Sequence, residues 1–253
     1  IVGELEMAYR LSRGKYVAIT GTNGKTTTTS LVGKIFEESG RNYTVVGNIG
    51  VATISKVQES TEDEWMIAEA SSFQLETISR FRPVVSAILN FTPDHLNRHG
   101  SMDVYGACKA AIGSNQTADD YMIINYDDKV CLALACDTKA KLVPFSRLDQ
   151  LEFGAYIDDG YIVIRDESGI VHQICSKDEL KIIGNHNLEN ALAAAAISFF
   201  AGSSGLWAYG QLVEQKKEIA RRTDSIQAIN NELRLEYNAL LKDEDVIAAY
   251  ARK

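Results

Sequence analysis

Apolar and polar residues alternate along the first two thirds of the chain in blocks that predict strands separated by helices. Six short apolar runs are predicted as strands, namely Tyr16–Thr20, Tyr43–Val46, Trp65–Ala68, Val84–Leu89, Tyr121–Ile124 and Leu142–Phe145. This alternation predicts an α/β fold with a mainly parallel sheet and flanking helices. The first helix is predicted from Thr26 to about Ser39, because Gly40 is a favourable residue just after a helix.

The pattern changes at Ala155. Two alternating runs lie on either side of Asp158-Asp159-Gly160, which predicts a hairpin, and the short run Val171–Ile174 would extend it into a small antiparallel β patch. A polar segment, residues 184–190, then leads into Ala191–Phe200, whose alanine-rich sequence favours a helix.

Beyond residue 205 the pattern changes again. Apolar residues occur at every seventh position, at Leu212, Ile219, Ile226, Leu233, Leu240 and Ile247. This spacing predicts a coiled-coil helix over residues 206–253, weak or heterotypic because its companion positions include Lys216, Thr223 and Asn230. The alternative is an amphipathic helix packed on the body, but six repeats are long for one globular helix.

The segment GTNGKTTTT, residues 21–29, lies between the predicted first strand and first helix and is typical of a phosphate-binding loop. Its two glycines allow a tight turn that brings backbone N–H groups to phosphate oxygens, at the positive end of the helix dipole. Lys25 would then reach the outer phosphates, and the Thr26 hydroxyl would bind Mg²⁺. Ile19 stands where the general phosphate-loop pattern has its first glycine, which weakens a generic nucleotidase interpretation. The alternative is a simple turn with a solvated lysine.

Polar residues also follow two other predicted strands. Glu69 ends one strand, and the segment 90–99 follows another. Ligands of parallel sheets bind at the carboxyl ends of the strands, so we expect one crevice to contain the loop, Glu69 and this segment. A lone carboxylate is often only a salt-bridge partner, but at a strand end it is a plausible metal ligand.

Charge and composition exclude several classes of function. The net charge is −8, which argues against non-specific nucleic-acid binding. The four cysteines lack zinc-site or C-x-x-C spacing, no apolar run approaches the ~20 residues of a membrane helix, and no signal-peptide pattern is present. We therefore expect a cytoplasmic protein with reduced thiols. Since the chain begins at Ile1 rather than methionine, we expect it to be part of something longer.

Six segments, in this order, resemble the central ATPase domain of the Mur ligase family: GTNGKTTTT, VGNIG at 46–50, EASSFQLE at 69–76, LNFTPDHLNRHG at 89–100, YGACKA around Lys109 and GNHNLENALAA at 184–194. The resemblance covers residues 1–201, and two segments look most like the branch that adds D-glutamate. It implies amide-bond formation driven by ATP and Mg²⁺. In the full enzyme the carboxylate of UDP-N-acetylmuramoyl-L-alanine attacks the γ-phosphate, and the amine of D-glutamate displaces phosphate from the resulting acyl phosphate.

The resemblance also implies roles for individual residues. The catalytic residues would be Lys25, His95 and Lys109, and the metal ligands would be Thr26, Glu69, His95 and, if carbamylated, Lys109. The nucleotide or substrate would be bound by Gly21, Thr22, Asn23, Gly24, Lys25, Thr26, Thr27, Asn48, Asn187 and Asn190, the last two at the adenine. Without the resemblance, His95 would be interpreted as a surface group, Lys109 as a solvated lysine and Asn187 as a helix cap. Asn97 stands where many relatives have aspartate, so the role of that side chain is open.

Family members also carry an N-terminal domain for the uridine nucleotide and a C-terminal domain that brings D-glutamate. Neither is in this chain, so we expect nucleotide binding without full turnover. The tail, residues 206–253, resembles the septum-formation-initiator family of division proteins and would bind a coiled-coil partner or itself. Gly202-Ser-Ser-Gly205 looks like an engineered linker, which predicts a chimera. The alternative function is a soluble carrier for this interaction module.

Overall fold

A computed structural model describes residues 2–180, 184–202, 229–231, 233 and 234. The chain divides into two compact units, Ile1–Tyr209 and Gly210–Lys253, and the account below concerns the first. Its strands are β1 (Lys15–Thr20), β2 (Tyr43–Gly47), β3 (Trp65–Glu69), β4 (Val85–Ile88), β5 (Tyr121–Asn125), β6 (Lys141–Phe145), β7 (Gly154–Asp158), β8 (Tyr161–Arg165) and β9 (Val171–Ser176). Its helices are α1 (Glu4–Leu11), α2 (Lys25–Glu38), α3 (Ser72–Leu75), α4 (Leu96–His99), α5 (Met102–Ala110), α6 (Lys129–Leu134) and α7 (Asn185–Phe200).

All nine strands form one sheet in the order β2-β3-β1-β4-β5-β6-β7-β8-β9. Strands β1 to β6 pair in parallel, which confirms the predicted mainly parallel sheet. The central strand β1 lies between β3 and β4, so the segments that follow these three strands emerge side by side.

The predicted hairpin is present as β7 and β8, with Asp159 and Gly160 at positive φ in its turn. The antiparallel strands do not form a separate patch, however. Strand β7 pairs in parallel with β6 through Phe145 and Ala155, so β7–β9 continue the main sheet. This pairing gives hydrogen-bond partners to backbone groups that would otherwise form an open edge at β6.

Two apolar clusters cover the two faces of the sheet. On one face, Val17 and Ile19 of β1 pack with residues of α2 and α7, including Phe36 and Leu192. On the other face, residues such as Tyr16 of β1 pack with parts of α1, α3, α5 and α6. Alternate residues of β1 thus point to opposite faces, as the strand period requires.

The predicted start is close to the observed one for α2 but not for α7. Helix α2 begins at Lys25 and is followed by Gly40 at φ 68°, close to the prediction. Helix α7 begins at Asn185, six residues before the predicted start, and its N-cap is Gly184. Asn187 therefore lies inside the first helical turn, and the alternative that it caps the helix is wrong. Alanine content identified only the apolar part of this helix and not its polar first turn.

Most of the predicted coiled coil and most of the predicted linker lie outside the described residues. Residues 229–231, 233 and 234 are described, and they are helical. None of the helices in the part of the chain that the structure describes is both long and apolar enough to cross a membrane.

Candidate nucleotide-binding site

The predicted phosphate loop connects β1 to the N-terminus of α2. Gly24 is the N-cap residue, at φ 80°, and none of the described side chains makes a capping hydrogen bond to this helix end. The first turn of α2 also contains no acidic residue. The first N–H groups of a helix have no partner within the helix, and the dipole makes this end positive. An uncapped glycine here therefore suits an anionic ligand such as a phosphate.

Two asparagines hold this loop from opposite sides. The backbone N–H of Asn23 donates to Oδ1 of Asn90 at 2.8 Å, and Nδ2 of Asn90 donates to the Asn23 carbonyl at 3.0 Å. On the other side, the Thr28 hydroxyl donates to Oδ1 of Asn190 at 3.3 Å, and a Cβ at Gly24 would lie 2.2 Å from that oxygen. Glycine is thus required at position 24 both by its positive φ and by the close approach of Asn190.

Lys25 and Lys109 meet at the carbonyl oxygen of Gly21. Lys25 Nζ donates to the carbonyls of Gly21 and Thr22 at 3.0 and 2.9 Å, and Lys109 Nζ donates to that of Gly21 at 2.8 Å. Burial lowers the pKa of Lys25, although Glu69 and Asp94 oppose this effect. Both predicted lysines therefore lie at the loop.

Lys109 is buried, which contradicts the alternative that it is a solvated lysine. It is 2% exposed, and its Nζ lies 4.7 Å from the centre of the Tyr105 ring. Burial, followed by the charge of Lys25, lowers the pKa of Lys109 to about 7. A substantial fraction of this side chain is therefore a neutral amine near pH 7.

Glu69 lies at the end of β3 with its carboxylate facing α2. The Thr26 hydroxyl donates to Oε2 of Glu69 at 2.9 Å, and Nδ2 of Asn48 donates to Oε1 at 3.1 Å. Glu69 is 2% exposed, and within the described residues it makes no salt bridge. A buried carboxylate held by two neutral donors can accept a cation, and its oxygen together with that of Thr26 fits the preference of Mg²⁺.

His95 was predicted as a site residue, but it makes none of the contacts described above. It caps α4 in the left-handed region, at φ 51°, and its side chain is 48% exposed. Among the described residues its ring lies near Asp94, Phe73 and Tyr105, none of which was predicted as a site residue. The charge of Asp94, the residue before His95, opposes the effect of burial that lowers the pKa of Lys25.

The remaining predicted residues include Thr27 on α2 and the two predicted adenine residues, Asn187 and Asn190, on α7. Thr27 lies in the first turn of α2 and is partly exposed. Asn190 is 6% exposed and donates from Nδ2 to Oδ1 of Asn187 at 3.3 Å. The structure therefore connects the predicted adenine residues to the loop through Asn190, whose own oxygen contacts Gly24 and Thr28.

Two functional positions were missed by sequence reasoning. Asn90 was considered only as the start of a segment, although its position directly after β4 marks it as a neighbour of the loop. Tyr105 lies under Lys109, and its hydroxyl is 3.3 Å from Oγ1 of Thr22. No local pattern in the sequence distinguishes Tyr105 from an ordinary core tyrosine.

Known proteins resemble this chain in sequence. Residues 19–198 match the Mur ligase middle domain. The UDP-N-acetylmuramoylalanine–D-glutamate ligase of Alkaliphilus oremlandii (strain OhILAs) is 56% identical over 202 residues, which are 80% of this chain and 44% of that protein. This chain therefore spans less than half the length of that relative.

Solved structures share the fold. A UDP-N-acetylmuramoyl-L-alanyl-D-glutamate–2,6-diaminopimelate ligase matches with a TM-score of 0.59 and 21% identity, over 78% of this chain and 45% of that one. The MurF ligase from Thermotoga maritima in complex with ADP matches with a TM-score of 0.54 and 16% identity, over 76% of this chain and 47% of that one. At these identities the likeness concerns the fold alone. The match of residues 19–198 covers most of the chain, and by that match the chain belongs to the Mur ligase family.

Proposed function

We propose that this domain binds ATP with Mg²⁺ at the loop of residues 21–24. The observation that carries the proposal is the uncapped N-terminus of α2, which has Lys25 beside it and the Thr26–Glu69 hydrogen bond in front of it. The backbone N–H groups of the first helical turn would bind phosphate oxygens, and Lys25 would move from the loop carbonyls to the β- and γ-phosphates. Mg²⁺, when bound by Thr26 and Glu69, would neutralise phosphate charge.

We further propose that the complete enzyme adds D-glutamate to UDP-N-acetylmuramoyl-L-alanine, the activity in the name of the relative from Alkaliphilus. The substrate carboxylate attacks the γ-phosphorus and ADP leaves; the amine then attacks the acyl phosphate, and phosphate leaves. The first step brings a carboxylate to a triphosphate, so the site must supply positive charge and positioning. Lys25 supplies the charge, while Asn48 and His95 would orient the substrate or the transferred phosphoryl group.

Lys109 is proposed to act as a carbamate. Its neutral amine can add CO₂, forming an N–C bond with loss of one proton, and the product is an anionic oxygen ligand for a second Mg²⁺. The carbamate keeps one N–H on Nζ, which can still donate to the Gly21 carbonyl. In ¹³C-bicarbonate we expect one carbamate carbon signal that Lys109→Met removes; the same signal in the variant would rule out this site.

The test of nucleotide binding is calorimetric titration of Mg·ATP into the chain and into two lysine variants. We expect micromolar to low millimolar affinity, about −4 to −8 kcal/mol. Lys25→Ala should abolish measurable binding. The control is Lys34→Ala on the same helix, because Lys34 is exposed and pairs with Glu37 and Glu38 of its own helix. Equal binding by wild type and Lys25→Ala would refute the proposal.

For the whole chain we propose three parts: the domain at 1–201, an engineered linker at 202–205 with the sequence Gly-Ser-Ser-Gly, and a coiled coil at 206–253. The heptad spacing supports the last part. Changing Ile226 and Leu233 to aspartate should convert an oligomer to a monomer in light scattering, and an unchanged mass would argue against a coiled coil. We also propose that these 253 residues alone release no ADP with the two substrates present, because their match covers 44% of the relative from Alkaliphilus.

A further inference from the structure

A second group of possible metal ligands lies beside the nucleotide site. Glu76 follows α3, His99 ends α4, and Cys108 lies in α5. Nδ1 of His99 is 3.2 Å from Oε1 of Glu76 and 3.8 Å from Sγ of Cys108. One ligand atom from each residue lies within 4.8 Å of the others.

The distances from His99 to Glu76 and from His99 to Cys108 are close to the edges of a zinc coordination tetrahedron. Zinc bonds of about 2.0–2.1 Å to nitrogen, 2.0–2.2 Å to oxygen and 2.3 Å to sulfur give N···O and N···S edges of roughly 3.4 and 3.6 Å. The observed 3.2 and 3.8 Å each differ from these values by about 0.2 Å. For these two edges, a cation at the centre requires only small movements of the side chains, and the third edge, from Glu76 to Cys108, is within 4.8 Å.

The imidazole of His99 is held in the orientation that a metal ligand needs. Nε2 lies 3.0 Å from Oγ of Ser72, and the ring stacks on Phe73 with 5.3 Å between centres and 14° between planes. The His99 side chain is 1% exposed. If Nε2–H donates to the Ser72 hydroxyl, the lone pair of Nδ1 points at Glu76 and Cys108, and such a hydrogen bond is the usual support of a metal-bound histidine.

Glu76 can serve two partners at once. Its Oε2 accepts from Arg98 at 3.0 Å, while Oε1 faces His99. The Glu76 side chain is 26% exposed, so water can reach the group and complete a four-coordinate site.

Two other uses of the same residues are less favoured. Ser72, His99 and Glu76 resemble a serine nucleophile with its base, but Ser72 is 3% exposed and offers its oxygen to no substrate. A hydrogen bond that shares a proton between two side chains would need only His99 and Glu76. The thiol of Cys108 adds a soft ligand, which favours zinc over the hard cations expected at Glu69.

We propose that Glu76, His99 and Cys108 bind one Zn²⁺ ion, with water as the fourth ligand. The ion would join α3, α4 and α5. Because Cys108 precedes Lys109 and His95 is the N-cap of α4, zinc would restrain the segments that carry these two residues. The proposal is independent of nucleotide binding, because none of its three ligands belongs to the phosphate loop.

The experiment uses the metal-free, reduced chain and titrates it with Co²⁺ and then with Zn²⁺. Co²⁺ should give the visible bands of a tetrahedral ion and a thiolate-to-cobalt charge-transfer band at one equivalent, and Zn²⁺ should abolish both. Zinc affinity is measured by competition with a fluorescent chelator. Cys108→Ser should remove the charge-transfer band and lower zinc affinity at least tenfold.

The matched control is Cys136→Ser, because Cys136 is exposed and lies elsewhere. It should bind like wild type, as should Glu69→Gln, which alters only the proposed Mg²⁺ site. Ser72→Ala should weaken zinc binding severalfold while the charge-transfer band remains. Absence of that band in wild type, or its survival in Cys108→Ser, would overturn the proposal; if Cys108→Ser fails to fold by circular dichroism, unchanged affinity in Glu76→Gln would overturn it instead.

Discussion

Lys25 and Lys109 donate hydrogen bonds to the same atom, the carbonyl oxygen of Gly21, at 3.0 and 2.8 Å. Two ammonium groups around one oxygen repel each other, and burial adds to the cost of charging Lys109. This arrangement keeps positive charge at the base of the loop while making one of the two amines easy to deprotonate. Three predictions follow from charged groups that are buried in this fold.

The first prediction concerns the pH dependence of stability. The pKa of Lys109 is lowered to about 7 in the folded protein from an ordinary value of 10.5. Between these values the unfolded state binds more protons, so the free energy of unfolding should rise with pH. From pH 7 to 9 the contribution is on the order of 2 kcal/mol. Lys109→Met should remove it.

The measurement is urea unfolding at pH 7, 8 and 9 in carbonate-free buffer. Lys34→Met serves as the control because that lysine is on the surface. Parallel pH profiles for wild type and Lys109→Met would show that Lys109 is not responsible.

The second prediction concerns Glu69→Gln. The amide keeps the size of the side chain but removes the negative charge that faces Thr26 and Asn48. We expect ATP affinity in the presence of Mg²⁺ to fall about tenfold, a loss of ~1.4 kcal/mol. Metal-free ATP should bind no more weakly than to wild type, because a carboxylate near the triphosphate is removed.

Calorimetry with Mg²⁺ or with a chelator separates these two effects. Glu59→Gln is the control, since Glu59 is exposed and pairs with Lys56. An equal loss of affinity with and without Mg²⁺ would mean that Glu69 supports the loop rather than the metal.

The third prediction concerns Glu6, a buried carboxylate in α1. It accepts hydrogen bonds from the backbone N–H groups of Ser79, Arg80 and Phe81 and from the Arg10 side chain. Burial alone raises the pKa of Glu6, but these hydrogen bonds outweigh it, so the pKa lies below its ordinary value of 4.5. Glu6→Gln should lower the free energy of unfolding at pH 7 by about 2–4 kcal/mol, because hydrogen bonds to a charged group are lost.

The pH dependence has the same sign as that of Lys109, because both pKa values are lowered by folding, but it lies in the acid range. The contribution of Glu6 is complete above pH 4.5 and is lost as pH falls through the lowered pKa of the folded state. The difference between wild type and Glu6→Gln should therefore shrink in acid, as followed by urea unfolding at pH 7 and pH 3. Glu38→Gln, an exposed change, should differ little from wild type at either pH. A constant difference would show that the charge of Glu6 is not what matters.

The sequence was sufficient for the parts of the fold that depend on local pattern. The six parallel strands and α2 follow from short apolar runs and from the glycine-rich turn between them. The shared position of the loop, Glu69 and the segment 90–99 was predicted from a general rule, since all three follow strands, and the adjacency of β1, β3 and β4 confirms it.

The rest depends on contacts between distant residues. The burial of Lys109 comes from Gly21 and Tyr105, and nothing in a helix of small residues indicates such neighbours. Helix α1 was not predicted because its eight residues depend on Glu6, which bonds to backbone more than 70 residues away. The proposed zinc ligands likewise come from three short elements with no common spacing.

The contact between Asn190 and the loop has a consequence for how the domain is made. Residues 21–28 leave the ribosome early, but the side chain that supports Gly24 and Thr28 is translated 162 residues after Thr28. A nascent chain that stops before α7 carries the whole phosphate loop without the asparagine that holds it. Affinity for the nucleotide should therefore arise late in synthesis, when α7 docks, and a released chain that ends before Asn190 should not compete for the cell's ATP.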